Sequence, residues 1–129
     1  MAPNPKFDPK AKVFENIQIS FHDLHRATVE AGAGVTLTGR TFRNCILEGP
    51  ALILVLPGTR FERTNFGVDD IRSILFRPVD DRRAIGAIPV ADCLFEQCSF
   101  GVVGFTGHPN FIDTMINELG RPQVLGGNA

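Results

Sequence analysis

The sequence contains neither tryptophan nor tyrosine, although it has 11 phenylalanines. Buried tyrosine and tryptophan side chains usually need a hydrogen-bond partner for the hydroxyl or indole N–H group. Their absence fits a thin interior that offers no such partner. With 129 residues, of which 43% are hydrophobic, the chain can form one modest core, and this composition excludes a wholly disordered protein.

The chain also lacks an excess of either charge and a long apolar run. Thirteen basic residues against 14 acidic ones leave a formal charge of −1, so no net field would attract nucleic acid or an anionic membrane. No stretch approaches the ~20 apolar residues of a membrane span, and residues 1–6 have no signal-peptide core. We therefore expect a cytoplasmic protein without nucleic-acid or membrane partners.

Cysteine is scarce and odd in number, at positions 45, 93 and 98. We interpret Cys45, Cys93 and Cys98 as reduced thiols that fill small interior positions. The alternative interpretation is a thiolate metal site or a redox pair. Thr59 and Thr64 occupy equivalent positions of the repeat described below, and threonine does not bind zinc, which favours the structural interpretation.

Large apolar residues, by contrast, recur at five-residue intervals. Phe95, Phe100 and Phe105 define a spacing that matches neither the period of a helix nor that of a strand. A fixed period of this kind indicates a repeat architecture. The same spacing continues through Leu37, Phe42, Leu47 and Leu52, then Leu56, Phe61, Phe66, Ile71 and Phe76, with a fainter run at Phe14, Ile19, Leu24 and Val29.

The three strong runs align with one another. Phe42 matches Phe61 at an offset of 19 residues, and Phe61 matches Phe95 at an offset of 34. If four five-residue steps close a coil, equivalent residues stack at the ~4.8 Å spacing of paired strands, and these three rings form one ladder. The predicted fold class is all-β: a single-stranded β-helix, or β-solenoid, of about three to four coils of roughly 19–20 residues with a short C-terminal α-helix cap.

The pattern divides the chain into parts. Asn110 as a capping residue and Gly120 as a terminator bound an apolar helical stripe, whereas residues 22–31 fit either a strand or a helix. The predicted parts are an extended N-terminal arm (1–12), a β-helix body (13–109) with an inserted loop (77–89), a capping helix (110–120) and a tail (121–129).

Three five-residue units carry a resemblance to a known family. Residues 45–49, 64–68 and 98–102 each have a central Leu or Phe with a small residue two places before it, and in this they resemble the pentapeptide-repeat proteins. The resemblance implies a right-handed, four-sided β-helix, and a less regular right-handed β-helix is the alternative. Some members of that family imitate DNA with an acidic surface. A charge of −1 argues against that role for this chain.

Two polar groups are candidates for a ligand site. Adjacent carboxylates and guanidinium groups in the inserted loop would hold a metal or an anion, or would form a solvated loop that compensates its own charge. A pair of histidines three residues apart would bind a metal from one face of a helical turn, or would belong to a surface turn. These residues are Asp80, Asp81, Arg82 and Arg83 in the loop, and His22 and His25.

A third group is apolar and suits an interface. Ile85 and Ile88 follow the charged part of the loop, and Ile112 and Met115 lie on the stripe of the predicted C-terminal helix. The first functional hypothesis is a non-enzymatic protein that acts by self-association, as a homo-oligomer, or by binding a protein partner. The alternative hypothesis is a small-molecule- or metal-binding protein, or an enzyme, with its site at the 77–89 loop. No motif for a cofactor is present, and we predict none.

Overall fold

The computed structural model describes residues 7–77 and 86–119. Within these residues the chain forms short strands, two α-helices and one 3₁₀ helix at Ile71–Ile74. The helices are α1 (Phe21–Glu30) and α2 (Pro109–Leu119). The strands are β1 (Val13–Glu15), β2 (Gln18–Ser20), β3 (Leu37–Thr38), β4 (Thr41–Arg43), β5 (Ile46–Val55), β6 (Arg60–Glu62), β7 (Leu75–Phe76), β8 (Ile88–Ala91), β9 (Leu94–Glu96) and β10 (Ser99–Gly107).

The strands pair in parallel and form two sheets. One sheet has four strands in the order β1-β4-β9-β6. The other has six strands, of which five follow the order β3-β8-β5-β10-β7, while β2 pairs with the first part of β5. The second sheet contains the two longest described strands, β5 and β10, which lie side by side over most of their length.

The prediction of an all-β, single-stranded β-helix is wrong. The structure has two parallel sheets together with two α-helices, which is a mixed α/β arrangement. A solenoid stacks successive turns in chain order, whereas here β9 lies between β4 and β6, and β10 lies between β5 and β7. The third copy of the repeat is therefore inserted between the first and the second.

Residues 21–30 illustrate why the five-residue pattern failed locally. Ser20 caps α1, because its hydroxyl accepts a hydrogen bond from the Asp23 amide at 3.2 Å. Phe21, Leu24 and Thr28 are buried at helical spacing. Val29, which continued the five-residue run, is exposed. Residues 21–30 therefore form a helix, because helical spacing buries these side chains.

The core is built around a stack of phenylalanine rings from the four-stranded sheet. The register places Phe14, Phe42, Phe95 and Phe61 opposite one another in that order. Ring centroids are 5.1, 4.9 and 5.2 Å apart along the stack, and the planes differ by 10° or less. The three rings expected to form a ladder do so, but Phe95 is the middle one.

The corners between strands explain the period of five. At most of the described steps, the backbone two positions after an inward-facing residue adopts a positive φ and redirects the chain. Asn and Asp tolerate this left-handed conformation better than most residues, and glycine adopts it freely. The non-glycine residues at such corners are Asn16, Asn44, Arg63, Asp92, Gln97 and Val102.

One irregularity displaces the pattern between β5 and β10. Gly101 pairs with Glu48, but Val103 pairs with Ala51, so β5 has one more residue than β10 in this interval. As a result Ile53 points into the core, and Leu52, which the spacing had placed there, is only half-buried.

Replacing Phe95 should test the importance of the ring stack. We expect Phe95→Ala to lower the free energy of unfolding by about 3–5 kcal/mol, because a fully buried ring between two others is lost. Val35→Ala is the control, since that side chain is 61% exposed, and its cost should stay below about 1 kcal/mol. Chemical denaturation followed by circular dichroism measures both. Equal losses would contradict the central position of Phe95.

Candidate functional site

The predicted ligand site in the loop lies outside the described residues. Asp80, Asp81, Arg82 and Arg83, and the interface candidate Ile85, belong to the interval between residues 77 and 86. The alternative hypothesis of a small-molecule or metal site at this loop therefore stays a prediction.

The two candidate histidines lie on α1, where each has a local contact. A ring nitrogen of His25 lies 2.8 Å from the Val35 carbonyl, which ties the helix to the segment that follows it. Arg26 donates to the His22 ring at 3.4 Å. Among residues 7–77 and 86–119, no group of three or more His, Cys, Asp or Glu side chains is placed to hold a metal ion.

The cysteines are buried and each follows a corner residue. Each is only 1% exposed, and each thiol points at the carbonyl two residues before it. Thr64 occupies the same position in another step, and its hydroxyl donates to the Glu62 carbonyl. Cysteine and threonine thus serve alike as small donors that satisfy a carbonyl beside the corner.

Cys45 and Cys98 are neighbours at adjacent corners, Cys45 between β4 and β5 and Cys98 between β9 and β10. A hydrogen bond between the two thiols lowers the pKa of Cys45 to about 7 and raises the pKa of Cys98 above its ordinary range. Burial raises the pKa of Cys93. All three thiols are free. Since reactivity requires access as well as a thiolate, burial makes these residues structural rather than catalytic.

The remaining interface candidates are covered by the chain itself. Ile88, Ile112 and Met115 are all buried. The hypothesis that they dock a partner stays a prediction. In this fold their side chains contribute to the core and to the contact between α2 and the sheets.

Arg40 is a buried cation that is stabilised by contacts within the protein. The Arg40 side chain lies over the Phe14 ring at 5.9 Å and donates to the Thr28 hydroxyl at 3.5 Å. Burial lowers the pKa of Arg40, and the neighbouring Cys93 and Asp8 oppose that shift. The Arg40 guanidinium therefore contacts a ring face and a hydroxyl inside the protein, which indicates a structural role.

A shallow, strongly apolar groove lies on the six-stranded sheet. Its volume is about 570 Å³, and among the described residues every side chain that lines it is apolar except that of Ser73. Strands β5 and β10 form the floor, while the 3₁₀ helix and β7 form one wall. We call this the apolar groove; it is lined by Pro50, Ala51, Leu52, Ser73, Ile74, Phe76, Val102, Val103 and Gly104.

Two exposed side chains border the apolar groove. Phe76 is 52% exposed, and its ring lies close to Gly104, where a Cβ atom would be 2.7 Å from a ring carbon. Val102 is 79% exposed. Apolar side chains left open to water beside an apolar concavity are typical of a binding surface.

Two arginines that directly adjoin lining residues in the sequence, Arg72 beside Ser73 and Arg77 beside Phe76, are paired within the chain. Arg77 contacts Asp113 at 2.8 Å, and Arg72 contacts Asp70 at 3.0 Å. Among the residues that the structure describes, none that lines the groove has a charged side chain. The described part of the apolar groove is therefore an apolar contact surface.

A second cleft, of about 830 Å³, lies where α2 begins and contains both polar and apolar side chains. The Asp92 carboxylate covers Gly58, where a Cβ atom would be 1.8 Å from a carboxylate oxygen. His108 also lines this cleft, and one of its ring nitrogens accepts a hydrogen bond from the Asn110 amide. These contacts account for Gly58 and for the entry into α2.

Sequence reasoning missed the apolar groove because it assigned Phe76 and Leu52 to the interior. The signal for Phe76 was its position as the last residue of its run, followed directly by Arg77 and Pro78. The signal for Val102 was a β-branched residue at a step where the other described corners have Gly, Asn, Asp, Arg or Gln.

Comparisons of the chain with protein-family models, with curated proteins and with solved structures find no match. Within residues 7–77 and 86–119, no helix has both the length and the apolar character needed to cross a membrane. The geometry of the described residues is thus the basis for a functional proposal.

The cysteine geometry predicts protection from alkylation. At pH 8 and in the folded state, we expect Cys45, Cys93 and Cys98 to react with iodoacetamide far more slowly than in denaturant, because each is 1% exposed. Mass spectrometry of timed samples counts the labelled thiols. Rapid labelling of Cys45 in the folded protein would contradict a purely structural role.

Proposed function

We propose that the protein is a non-enzymatic binding protein that acts by self-association, with the apolar groove of one copy packed against the same face of another. The observation that carries this proposal is that the described residues lining the groove are uncharged and almost all apolar, and that two of their side chains, Phe76 and Val102, are exposed. Burying such a surface removes apolar area from water, which favours association.

Shape supports a second copy as the occupant. The surface has a concave part, floored by Leu52 and Gly104, and a convex part, formed by the protruding Val102. A two-fold axis brings the same patch of both subunits together, so a patch with both shapes is able to complement itself. A protein of unrelated sequence would have to supply both shapes independently.

Charge supports the same occupant. Each copy has a formal charge of only −1, and the arginines at the edge of the groove are already neutralised by Asp70 and Asp113. Two identical faces therefore meet without strong like-charge repulsion. A partner that binds by charge complementarity would need a charged lining instead.

We also propose a cytoplasmic location. Cys45 and Cys98 are adjacent and free, a pairing that is more easily kept reduced in a compartment rich in glutathione and thioredoxin.

Self-association is tested by sizing chromatography with light scattering over a range of protein concentrations. We expect the wild type to be a dimer at high concentration, with little change between low and high salt, because the proposed contact is apolar. Phe76→Glu should shift the protein to a monomer, since the substitution places a charge beside the apolar groove.

The matched control is Val35→Glu. Val35 is 61% exposed and lies outside the apolar groove, so its replacement adds the same charge elsewhere and should leave the mass unchanged. A wild type that remains monomeric at every concentration would overturn the proposal. Equal effects of the two variants would also overturn it, because the loss would then reflect charge rather than the groove.

A further inference from the structure

We infer that Val102 is the specificity-determining residue of this self-association, and that the chain retains it at a cost to the stability of the single copy. The inference rests on the proposed function and names the side chain that the contact depends on. It starts from the backbone conformation of Val102 and from the side chains at equivalent corners.

Val102 adopts a conformation that disfavours its residue type. Its φ is +58°, in the left-handed region. Branching at Cβ crowds the backbone there, so a valine with positive φ is a genuine outlier. Of the six described non-glycine residues with positive φ, Val102 alone is β-branched; the others are Asn16, Asn44, Arg63, Asp92 and Gln97.

The neighbouring strand holds the backbone in this conformation. A Cβ atom on Gly49 would lie 1.9 Å from the Val102 carbonyl oxygen, so glycine at position 49 permits the close approach. The irregular pairing between β5 and β10 falls at the same place. The fold therefore needs the corner, but it does not need a valine at the corner.

The Val102 side chain contributes little packing to the fold of the single copy. It is 79% exposed, the largest exposed fraction among the large hydrophobic residues of the described chain. Burial thus does not offset the backbone strain. Backbone strain that packing within the fold does not offset is characteristic of functional positions.

The position of Val102 indicates that function. It protrudes at the rim of the apolar groove, whose walls include Phe76 and Ile74. In a two-fold contact, Val102 of each copy inserts into the groove of the other and becomes buried. Apolar side chains that fill a pocket at the centre of an interface contribute most of the binding free energy.

The test compares Val102→Asn with the wild type in two measurements. Asn suits a corner with positive φ, so the melting temperature, measured by circular dichroism at a concentration where the chain is monomeric, should rise by roughly 3–6 °C. The dissociation constant of the dimer, measured by light scattering, should increase by at least about tenfold. Val102→Gly is a second variant that should shift both quantities in the same directions.

Gln97→Asn is the matched control. Gln97 has a similar φ, +54°, at the preceding corner of the same segment, and it does not line the apolar groove. Since glutamine is not β-branched, this variant should change the melting temperature less than Val102→Asn does, and it should leave the dissociation constant unchanged.

The outcomes separate the inference from the proposed function. A wild type that does not associate overturns both. A wild type that associates, with Val102→Asn associating equally well, overturns the inference alone. The same holds if both Val102 variants are less stable than the wild type as single copies, because the valine would then be stabilising the fold. A more stable single copy with weakened association supports the inference.

Discussion

The structure depends on the stacking of Phe95 between Phe42 and Phe61. The Phe95 ring is nearly parallel to both neighbours, at centroid distances of 4.9 and 5.2 Å, and stacked aromatic pairs add about 0.5–1.5 kcal/mol per pair beyond the area that they bury. Seating Phe95 there requires β9 to lie between β4 and β6. Only two residues separate β9 from β10, so β10 then lies between β5 and β7.

This insertion also creates the apolar groove. With β10 next to β5, Gly104 lies opposite Leu52, and with β10 next to β7, the Phe76 ring lies on Gly104. The floor and one wall of the groove are thus made by segments that are distant in the sequence. The arrangement that fills the core at one sheet leaves an open apolar surface on the other.

The sequence predicted the local unit better than its assembly. The spacing identified the ring column of Phe42, Phe61 and Phe95 and the small interior position of Cys45, because both follow from a corner two residues after each of these rings. The order of strands did not follow, since identical spacing in three copies is equally compatible with consecutive and interleaved stacking. Parallel pairing uses the same backbone groups in either order.

The groove was harder to predict for a related reason. Phe76 and Leu52 fit the five-residue spacing as well as the buried residues do, and only the position of β7 at the end of its sheet and the irregularity at Val102 leave them partly exposed. Neither is a property of the local sequence. The helix at 109–119 was predictable because an apolar stripe is a local signal. The predicted capping residue was wrong, since Asn110 lies within the helix and its amide donates to the His108 ring.

The most direct test of the interleaved arrangement is a map of interstrand nuclear Overhauser effects in solution. The structure predicts backbone contacts between residues 41–43 and 94–96, and between 94–96 and 60–62, in line with the bonds from the Leu94 amide to the Arg40 carbonyl and from the Arg60 amide to the Cys93 carbonyl, both at 2.8 Å. Direct contacts between 41–43 and 60–62 would mean that the copies stack in chain order. That result would contradict both the position of Phe95 and the origin of the apolar groove.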